Sequence, residues 1–171
     1  MTFSKFSLFL ILCLTTMAHA AYAQPEGEQT PASSTGLPLP RFASLHIDDV
    51  NLRTGPGTRY PIEWVYRTEG LPVEITGEFD IWRRIRDWEG SEGWVHKNAL
   101  TGKRTAIVTQ KEKKLYDSDS YDSAIVATVE SNAIGIIKSC QPAWCKVQFG
   151  SVKGYMQKSD FWGAYAQEVF N

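Results

Sequence analysis

LRTGPGTRYP, residues 52–61, contains the strongest backbone signals in the sequence. Pro56 holds the φ angle that the second position of a turn favours, and Gly57 can take the positive φ that a type II turn requires at its third position. Leu52 and Ile62 are apolar residues on either side of the turn. We therefore predict a fixed turn that is anchored in a hydrophobic core at both ends.

The composition is that of an ordinary globular protein. The 171 residues are 43% hydrophobic and 22% charged, which suits one medium-sized domain or two small ones. The formal net charge is −1. Because phosphate binding requires an excess or a patch of cationic side chains, this near-neutral balance argues against nucleic acid as a partner.

Residues 1–23 have the features of a signal peptide. Lys5 supplies the positive charge, an apolar run follows at residues 6–16, and small residues allow cleavage after Ala23 or, alternatively, after Ala20. A retained membrane anchor is the other interpretation, but the apolar run is too short to span a bilayer as a mature helix. We therefore predict a periplasmic or secreted protein with no membrane span in its mature form.

Residues 24–41 contain four prolines among mainly polar side chains. Such a segment buries too little apolar surface to offset the entropy that it loses on ordering. We predict a disordered linker, and a proline-rich ligand for a partner protein is the alternative.

From residue 42 onward the pattern is typical of short β-strands. Runs of β-branched and aromatic residues, separated by glycine-containing breaks, occur at 43–52, 64–66, 71–75 and 81–88. Apolar residues do not recur at helical spacing until the last dozen residues. We therefore predict an all-β chain.

The second half of the chain repeats the spacing of the first. Leu52 precedes Trp82 by 30 residues, and Leu115 precedes Trp144 by 29. Further positions that correspond at this spacing are Ile62 and Ile125, Tyr66 and Val129, Ile85 and Val147, and Gly93 and Gly154. Two copies of one small barrel, joined at residues 103–105, are the simplest explanation, and a single larger sandwich is the alternative.

Three motifs resemble those of a bacterial SH3-like (SH3b) domain: the loop signature at 50–60, the Trp-x-x-Ile strand at 82–85 and the closing GWV at 93–95. The run RIRDWEGSEGWV at 84–95 is similar to exported tandem SH3-like proteins of Gram-negative bacteria, whose second copy is degenerate. The second copy in that group has a Cys-loop-Trp-Cys element and an aromatic ending, both of which this chain resembles.

The resemblance extends over residues 43–166 and implies two tandem SH3-like barrels. We assign the first barrel to residues 42–102 and the second, with its aromatic C-terminal segment, to residues 103–171. The motifs are specific for the fold and much weaker for function, because SH3-like barrels serve many roles.

Cys140 and Cys145 are the only cysteines that remain once a signal peptide has been removed. In an oxidising compartment such a pair usually forms a disulfide, which contributes about 2 kcal/mol. Two free buried thiols, or half of a metal site, are the alternatives. Because His46 and His96 are the only histidines after residue 23, a zinc site lacks suitable further ligands. We predict a disulfide, no metal site and no cofactor.

The second copy lacks the Pro-Gly turn and has YDSDSY at residues 116–121 instead. Asp117, Asp119 and Asp122 have a spacing that hints at calcium, but the glycine and the distal glutamate of an EF-hand loop are absent. We predict a looser, solvated acidic loop at this position.

The chain lacks a catalytic constellation with a clear signal. A serine or cysteine nucleophile needs a nearby base, histidines are few, and oxidised cysteines provide no thiolate. Asp87, Glu89 and Glu92 flank Trp88, which are residue types found in glycosidase subsites. Hairpins commonly carry acids for solubility, so we favour an exposed charged hairpin and predict that the protein is not an enzyme.

An aromatic and arginine-rich surface is the candidate binding site. Strand alternation over residues 81–88 places two tryptophans and two arginines on one face, where they could stack on a ligand and bind carboxylates. Tyr60, beside the turn, would form a second wall. The candidate ligand-binding residues are Arg59, Tyr60, Arg84, Arg86, Trp88 and Trp94.

A structural role for these side chains is the alternative. Trp82 and Trp94 would then cover the open end of the barrel, while the arginines pair with Glu74 and Glu78 across the sheet. We favour this alternative for Trp82, and we expect Trp88, at the rim of the hairpin, to be exposed.

Export and this surface together suggest a module that binds peptidoglycan stem peptides or a periplasmic protein. A second hypothesis is a structural adaptor in an envelope complex, in which residues 161–165 dock between two packed barrels because an exposed aromatic cluster would be sticky. A third is an accessory subunit of a cell-wall hydrolase.

Overall fold

A computed structural model describes residues 33–171. The predicted signal peptide and residues 24–32 of the predicted linker lie outside the described residues. Within residues 33–171 the only helices are two single 3-10 turns, Lys97–Ala99 and Lys158–Asp160. No helix in this part of the chain has the length and apolar character needed to cross a membrane.

The described chain consists of two antiparallel sheets, which confirms the all-β prediction. Its strands are β1 Arg41–Leu45, β2 Val50–Arg53, β3 Ile62–Tyr66, β4 Pro72–Phe79, β5 Trp82–Arg86, β6 Glu92–His96, β7 Leu100–Thr101, β8 Thr105–Ile107, β9 Lys113–Tyr116, β10 Ile125–Val129, β11 Ile134–Cys140, β12 Trp144–Phe149 and β13 Val152–Gln157. The first sheet has the strand order β3-β2-β6-β5-β4-β1-β7, and the second has the order β10-β9-β13-β12-β11-β8.

The two sheets have the same topology apart from the short β7. Gly93 in β6 lies so close to β2 that a Cβ atom there would be 2.6 Å from Leu52 Cγ. Gly154 in β13 has the same relation to Leu115 in β9, again at 2.6 Å. The repeat inferred from sequence spacing therefore corresponds to a repeated three-dimensional arrangement, although the domain boundaries themselves remain predictions.

Each sheet has its own core. Leu52 is 1% exposed in the first core, as expected for an anchor of the 52–61 loop. Ile62 is 48% exposed, so the prediction of a second anchor is wrong. The reason is its register: Ile62 lies opposite Arg53, on the outer face, and its strand β3 is at the edge of the sheet.

The 52–61 loop uses its glycines differently from the prediction. Gly57 does not have a positive φ, so the proposed type II turn is wrong. The loop closes instead through hydrogen bonds from the Thr54 N–H to the Pro61 carbonyl (3.1 Å) and from the Tyr60 N–H to the Gly57 carbonyl (3.2 Å). Gly55 is required because the Tyr60 ring packs directly on it.

The corresponding loop of the second sheet closes in the same way without a Pro-Gly pair. The Asp117 N–H donates to the Ala124 carbonyl at 2.9 Å, and the Ser123 N–H donates to the Ser120 carbonyl at 3.3 Å. The Ser123 hydroxyl also donates to the Ser120 carbonyl (2.9 Å) and accepts from the Ser118 N–H (3.2 Å). The hydrogen bonds of Ser123 therefore stabilise this turn, whereas the Tyr60 ring stabilises the corresponding turn of the first sheet.

The predicted disulfide between Cys140 and Cys145 is present. The two residues are directly opposite each other where β11 meets β12, and both are fully buried. Cys140 also exchanges two backbone hydrogen bonds with Phe170, at 2.8 and 3.1 Å. The disulfide hairpin therefore holds the C-terminal segment as well as its own two strands.

Residues 161–170 pack between the two sheets, as the adaptor hypothesis predicts for residues 161–165. Trp162 exchanges backbone hydrogen bonds with Ile107 of the second sheet and packs against the core of the first. Its ring meets that of Phe42 edge to face, with centroids 4.8 Å apart. The Tyr165 hydroxyl donates to Glu74 Oε1 in β4 at 2.8 Å.

Residues 33–41 differ from the disordered linker that the sequence predicts. Leu39 is buried in the first core, and β1 already begins at Arg41. The Glu78 carboxylate accepts hydrogen bonds from the Ser33 hydroxyl, the Thr35 N–H and the Arg41 guanidinium at 2.6–2.9 Å. A single buried acid therefore orders a polar segment that lacks the apolar side chains to order itself.

Candidate functional site

The outer face of the first sheet carries a row of cationic and aromatic side chains. Trp94 in β6 lies opposite Arg84 of β5 on one side and opposite Arg53 of β2 on the other. Directly paired residues of antiparallel strands project from the same face. Two of the candidate residues, Arg84 and Trp94, are therefore neighbours, and Arg53 extends their row toward the 52–61 loop.

Arg84 and Arg86 are both half exposed and both form ion pairs. Arg84 binds Glu92 at 2.6 Å, and Arg86 pairs with Glu74 of the neighbouring strand. The cross-strand pairing considered from the sequence is thus present for Arg86. Since Arg86 and Tyr165 share the Glu74 carboxylate, Arg86 belongs to the junction between the two sheets.

Tyr60 and Arg59 lie in the loop next to this row. The Arg59 guanidinium stacks over the Tyr60 ring, 5.2 Å from its centroid, and a hydrogen bond to the Tyr60 hydroxyl raises the pKa of Arg59. Arg53 donates to the carbonyl oxygens of Thr58 (3.1 Å) and Tyr60 (2.8 Å). One arginine therefore ties the loop to the strand that carries the outer row.

Trp88 is the candidate residue that packs against the first core. It is half buried, whereas the sequence predicts exposure at the rim of the hairpin. The neighbouring Asp87 is buried, because its carboxylate accepts hydrogen bonds from the Tyr66 hydroxyl (2.8 Å) and from the N–H groups of Glu89 and Ser91. The hairpin is therefore built around a buried acid and is not simply an exposed charged loop.

Burial of Tyr66 raises the pKa of its hydroxyl, and the hydrogen bond to Asp87 raises it further. The phenol therefore remains a donor throughout the physiological range. Both oxygens of Asp87 are occupied by these contacts, so the carboxylate supports the hairpin and is not available to a substrate.

A cavity of about 260 Å³ adjoins the arginine and tryptophan row. Trp82 and His96, which are directly paired in β5 and β6, form one wall with their rings edge to face at 5.6 Å. Polar groups and apolar side chains from the opposite wall and the ends complete the lining, namely Ile47, Asp49, Val50, Asn51, Arg53, Thr58, Asn98 and Ala99. We name this the Trp82 cavity.

The Trp82 cavity offers both signs of charge and a positioned imidazole. His96 Nδ1 accepts a hydrogen bond from the Asn98 N–H at 3.2 Å. The neutral ring consequently carries its proton on Nε2, which is a donor. Asp49 and Arg53 lie in the same lining. The cavity is therefore suited to a small polar ligand with both donor and acceptor groups.

The corresponding position of the second sheet is filled. Sequence spacing aligns Trp144 with Trp82, Tyr116 with Arg53 and Tyr121 with Thr58. In the structure these three rings pack edge to face, with the Tyr121 centroid 4.9 Å from Trp144 and 5.5 Å from Tyr116. Side chains of the second copy thus occupy the space that is open in the first.

Most of the Trp82 cavity could not be identified from the sequence. Residues 33–171 form five cavities near the surface, and none of the six candidate residues lines any of these five. His96 and Thr58 lie within two residues of Trp94 and Tyr60, and this proximity was the available signal. Asp49 and Asn98 come from connections whose approach to each other only the folded chain reveals.

The acidic loop of the second copy is solvent-facing. Asp117, Asp119 and Asp122 are exposed. Within residues 33–171, histidine, cysteine, aspartate and glutamate side chains form no group of three placed to hold a metal ion.

No curated protein matches this chain. Solved structures with similarity include NlpC2 (TM-score 0.35, 14% identity) and NlpC1 (TM-score 0.34, 15% identity) from Trichomonas vaginalis. An NlpC/P60 family protein from Bacillus cereus has a TM-score of 0.32 and 15% identity. These matches cover 77%, 78% and 75% of this chain but only 51%, 49% and 58% of the respective structures.

The chain thus spans about half the length of those solved structures, and TM-scores of 0.32–0.35 are too low to assign a shared fold. A protein-family comparison is more specific. The model described as bacterial SH3 domain matches residues 47–102, which include β2 to β7 and the whole lining of the Trp82 cavity. The loop at 52–61 and the closing GWV motif both lie within this match, so this part of the chain is similar to the bacterial SH3 domain family.

Proposed function

We propose that the protein is a non-catalytic, exported binding module that recognises a peptidoglycan stem peptide or a periplasmic protein through the outer face of its first sheet. A bacterial SH3 domain suggests a cell-wall binding module and is typically non-catalytic. The predicted signal peptide at residues 1–23 supports a periplasmic or secreted location.

The contrast between the two copies carries this proposal. In the first sheet the Trp82 cavity is open and adjoins the row of Arg53, Trp94 and Arg84. In the second sheet Tyr121 and Trp144 occupy the equivalent space. This difference between two copies of one fold supports the proposal that the first copy serves recognition and the second serves support.

The chemistry of the first copy fits a short peptide. Arginine side chains bind carboxylates through two parallel hydrogen bonds, and aromatic faces stack on peptide groups. Arg84 and Trp94 provide these contacts outside the cavity. Within it, Asp49 can bind an amino group while His96 Nε2 donates to a carbonyl or carboxylate. Stem peptides carry amino, carboxylate and amide groups within a few residues.

Cosedimentation with purified sacculi tests the proposal. We expect the parent protein to sediment with sacculi and Trp94→Ala and Arg84→Ala to weaken binding by about tenfold each, the effect of about 1.4 kcal/mol. Tyr155→Ala is the matched aromatic control and should bind like the parent, because Tyr155 follows Gly154 as Trp94 follows Gly93 and lies opposite Lys146 as Trp94 lies opposite Arg84. Circular dichroism of every variant separates lost binding from lost folding.

Two results would contradict this proposal. Unchanged cosedimentation of folded Trp94→Ala and Arg84→Ala would exclude the outer row as the binding surface. Failure of the parent to bind sacculi or soluble stem peptides would remove the cell-wall ligand and leave a periplasmic protein as the partner class.

A structural adaptor is the second candidate function, and the interface between the sheets favours it. Arg104 pairs with Glu168 and stacks on Phe42 and Phe170, so one side chain contacts both the first sheet and the C-terminal segment. This junction supports a fixed relation between the two sheets, which an adaptor requires. Arg104→Ala removes this junction. It should leave stem-peptide binding unchanged but should abolish an adaptor function that requires the two sheets to keep one arrangement.

A further inference from the structure

Strand β3 exposes two large apolar side chains at an open sheet edge. Among residues 33–171 it pairs only with β2, so within this part of the chain its other side presents unpaired backbone N–H and C=O groups. Trp64 is 58% exposed and Ile62 is 48% exposed. Proteins usually protect sheet edges with charges, prolines, bulges or covering segments, because an open apolar edge recruits further strands. Strand β3 follows Pro61 and has a register shift opposite Leu52 and Arg53, but Ile62 and Trp64 are still exposed. An edge of this kind is a candidate interaction surface.

A second cavity, also of about 260 Å³, lies beside Trp64. It is lined by Leu52, Glu63, Trp64, Ser91 and Glu92. Glu92 pairs with Arg84, whereas Glu63 makes no ion pair within residues 33–171. The cavity therefore combines an exposed indole ring with an unneutralised carboxylate, and the face of an indole ring also attracts cations.

We propose that the β3 edge binds an extended peptide segment that carries a lysine or arginine. The peptide backbone adds a strand to the first sheet by hydrogen bonding to β3, as in other cases of strand addition. Its basic side chain enters the cavity between Trp64 and Glu63. This surface is separate from the Trp82 cavity, and the inference does not rest on the function proposed above.

Charge identifies the occupant. Pairing of β3 with β3 of a second copy would bring the Glu63 side chains of both copies, which make no ion pair within residues 33–171, to one shared edge, and this is unfavourable. The segment at residues 24–32 of this chain, QPEGEQTPA, has two prolines that cannot donate hydrogen bonds and two acids of the same charge as the cavity. A basic segment of another protein avoids both problems.

The second sheet provides an internal comparison. Its edge strand β10 has Ala127 opposite Leu115, where β3 has Trp64 opposite Leu52. Val126 takes the place of Glu63, and Lys153, next to Gly154, takes the place of Glu92. The same edge in the second copy therefore lacks both the indole ring and the acids. The acidic cavity beside Trp64 is therefore specific to the first copy and is not a general consequence of the fold.

Binding of a labelled model peptide tests this proposal. The probe is a blocked octapeptide of alternating valine and lysine, measured by fluorescence anisotropy with the full chain. Two comparison peptides replace lysine by glutamate or carry N-methyl groups at alternate backbone positions. We expect only the unmethylated lysine peptide to bind, with protection of β3 amides from hydrogen exchange.

The variants locate the site. Trp64→Ala should weaken lysine-peptide binding at least tenfold, and Glu63→Gln at least threefold, with the latter difference smaller at high salt. Ile125→Ala, at the equivalent exposed edge of the second sheet, should bind like the parent. Because Trp64 is largely exposed, its substitution should leave the fold and the cosedimentation with sacculi unchanged. If Trp94→Ala loses sacculus binding and Trp64→Ala keeps it, the sacculus-binding surface is the outer row and not the β3 edge.

Several outcomes would overturn the proposal. Equal binding of the glutamate peptide would show that the acidic cavity does not select a basic side chain. Equal binding of the N-methylated peptide would show that the peptide does not add to the sheet as a strand. Parent-like binding by Trp64→Ala would place the peptide elsewhere. A dimer in sedimentation equilibrium that depends on Trp64 would identify the occupant of this edge as a second copy of the chain.

Discussion

The Tyr60 ring lies so close to Gly55 that a Cβ atom on Gly55 would be 2.4 Å from Tyr60 Cδ1. At Gly57, two residues later, the nearest ring atom would be 3.4 Å away, which is ordinary contact. Since neither glycine has a positive φ, the requirement for glycine at residue 55 comes from the approach of the ring and not from backbone strain.

Gly55→Ala should therefore destabilise the protein by about 1–3 kcal/mol, the usual cost of forcing an extra carbon into a packed site. Gly57→Ala should be close to neutral. Chemical denaturation measures both effects. In a Tyr60→Ala background the cost of Gly55→Ala should disappear, and persistence of that cost would show that the glycine is needed for another reason.

The Tyr165 hydroxyl joins the C-terminal segment to β4 through Glu74. Burial and this hydrogen bond both raise the pKa of Tyr165, so the phenol remains a donor at neutral and moderately alkaline pH. Tyr165→Phe should lower the free energy of unfolding by about 1.5 kcal/mol, as expected for a hydrogen bond to a charged acceptor. Tyr155→Phe is the control, because its hydroxyl has no hydrogen-bond partner within residues 33–171. Equal effects of the two substitutions would contradict the assigned role.

Stability should fall in acid because of Glu78. Burial alone would raise the pKa of this carboxyl, but hydrogen bonds from Arg41, Thr35 and Ser33 outweigh burial and lower it well below the ordinary range. A carboxyl with a lowered pKa in the folded state contributes stability that is complete above its unfolded pKa of about 4.3 and is lost as the pH falls below that value.

Denaturation between about pH 6 and pH 2 measures this contribution. Glu78→Gln should reduce the pH dependence without abolishing it, since the pKa of Glu168 is also lowered: burial would raise it, but Arg104 outweighs burial. Glu92→Gln, which removes an exposed ion pair, is the control. A variant whose stability falls in acid as steeply as that of the parent would exclude Glu78 as a major source.

Reduction of the disulfide should release residues beyond its own hairpin. Cys140 exchanges two backbone hydrogen bonds with Phe170, so loss of the constraint on Cys140 also weakens the docking of the C-terminal segment. The double substitution Cys140→Ser and Cys145→Ser should cost about 2 kcal/mol. Hydrogen exchange at the Phe170 amide should accelerate in this variant and in the reduced parent. An unchanged rate would show that the segment is held without the disulfide.

The strands and the repeat were predictable because their signals are local or periodic. Leu52 and Leu115, with Gly93 and Gly154 at matching distances, mark close approaches that only glycine permits, and these positions recur at a constant spacing. Alternation along residues 81–88 likewise indicated that Arg84 projects outward. Strand alternation and the spacing of the glycines follow from backbone geometry, so they can be recognised in the sequence before the rest of the fold is known.

The misplaced residues depend on partners far away in sequence. Ile62 is exposed because β3 is an edge strand, and strand order cannot be obtained from the strand itself. Asp87 is buried because the Tyr66 hydroxyl lies within hydrogen-bond distance, 21 residues earlier. Residues 33–41 are ordered by Glu78, which lies 37 residues or more away. In each case, partners that are distant in sequence determine whether a residue is buried or exposed, and the local sequence predicts the opposite.

The placement of residues 161–170 between the sheets also has a kinetic consequence. Tyr165 and Glu74 are separated by 91 residues, so their contact closes a very large loop, whereas neighbouring strands within each sheet pair over short separations. Each sheet can consequently form before the joint between them. Until residues 161–170 have been synthesised, the Phe42 ring of the first sheet lacks its contacts with Trp162 and Tyr165. The nascent chain therefore exposes an apolar, aggregation-prone surface at that stage. Order of synthesis, and not only final stability, thus governs how safely this protein reaches its folded state.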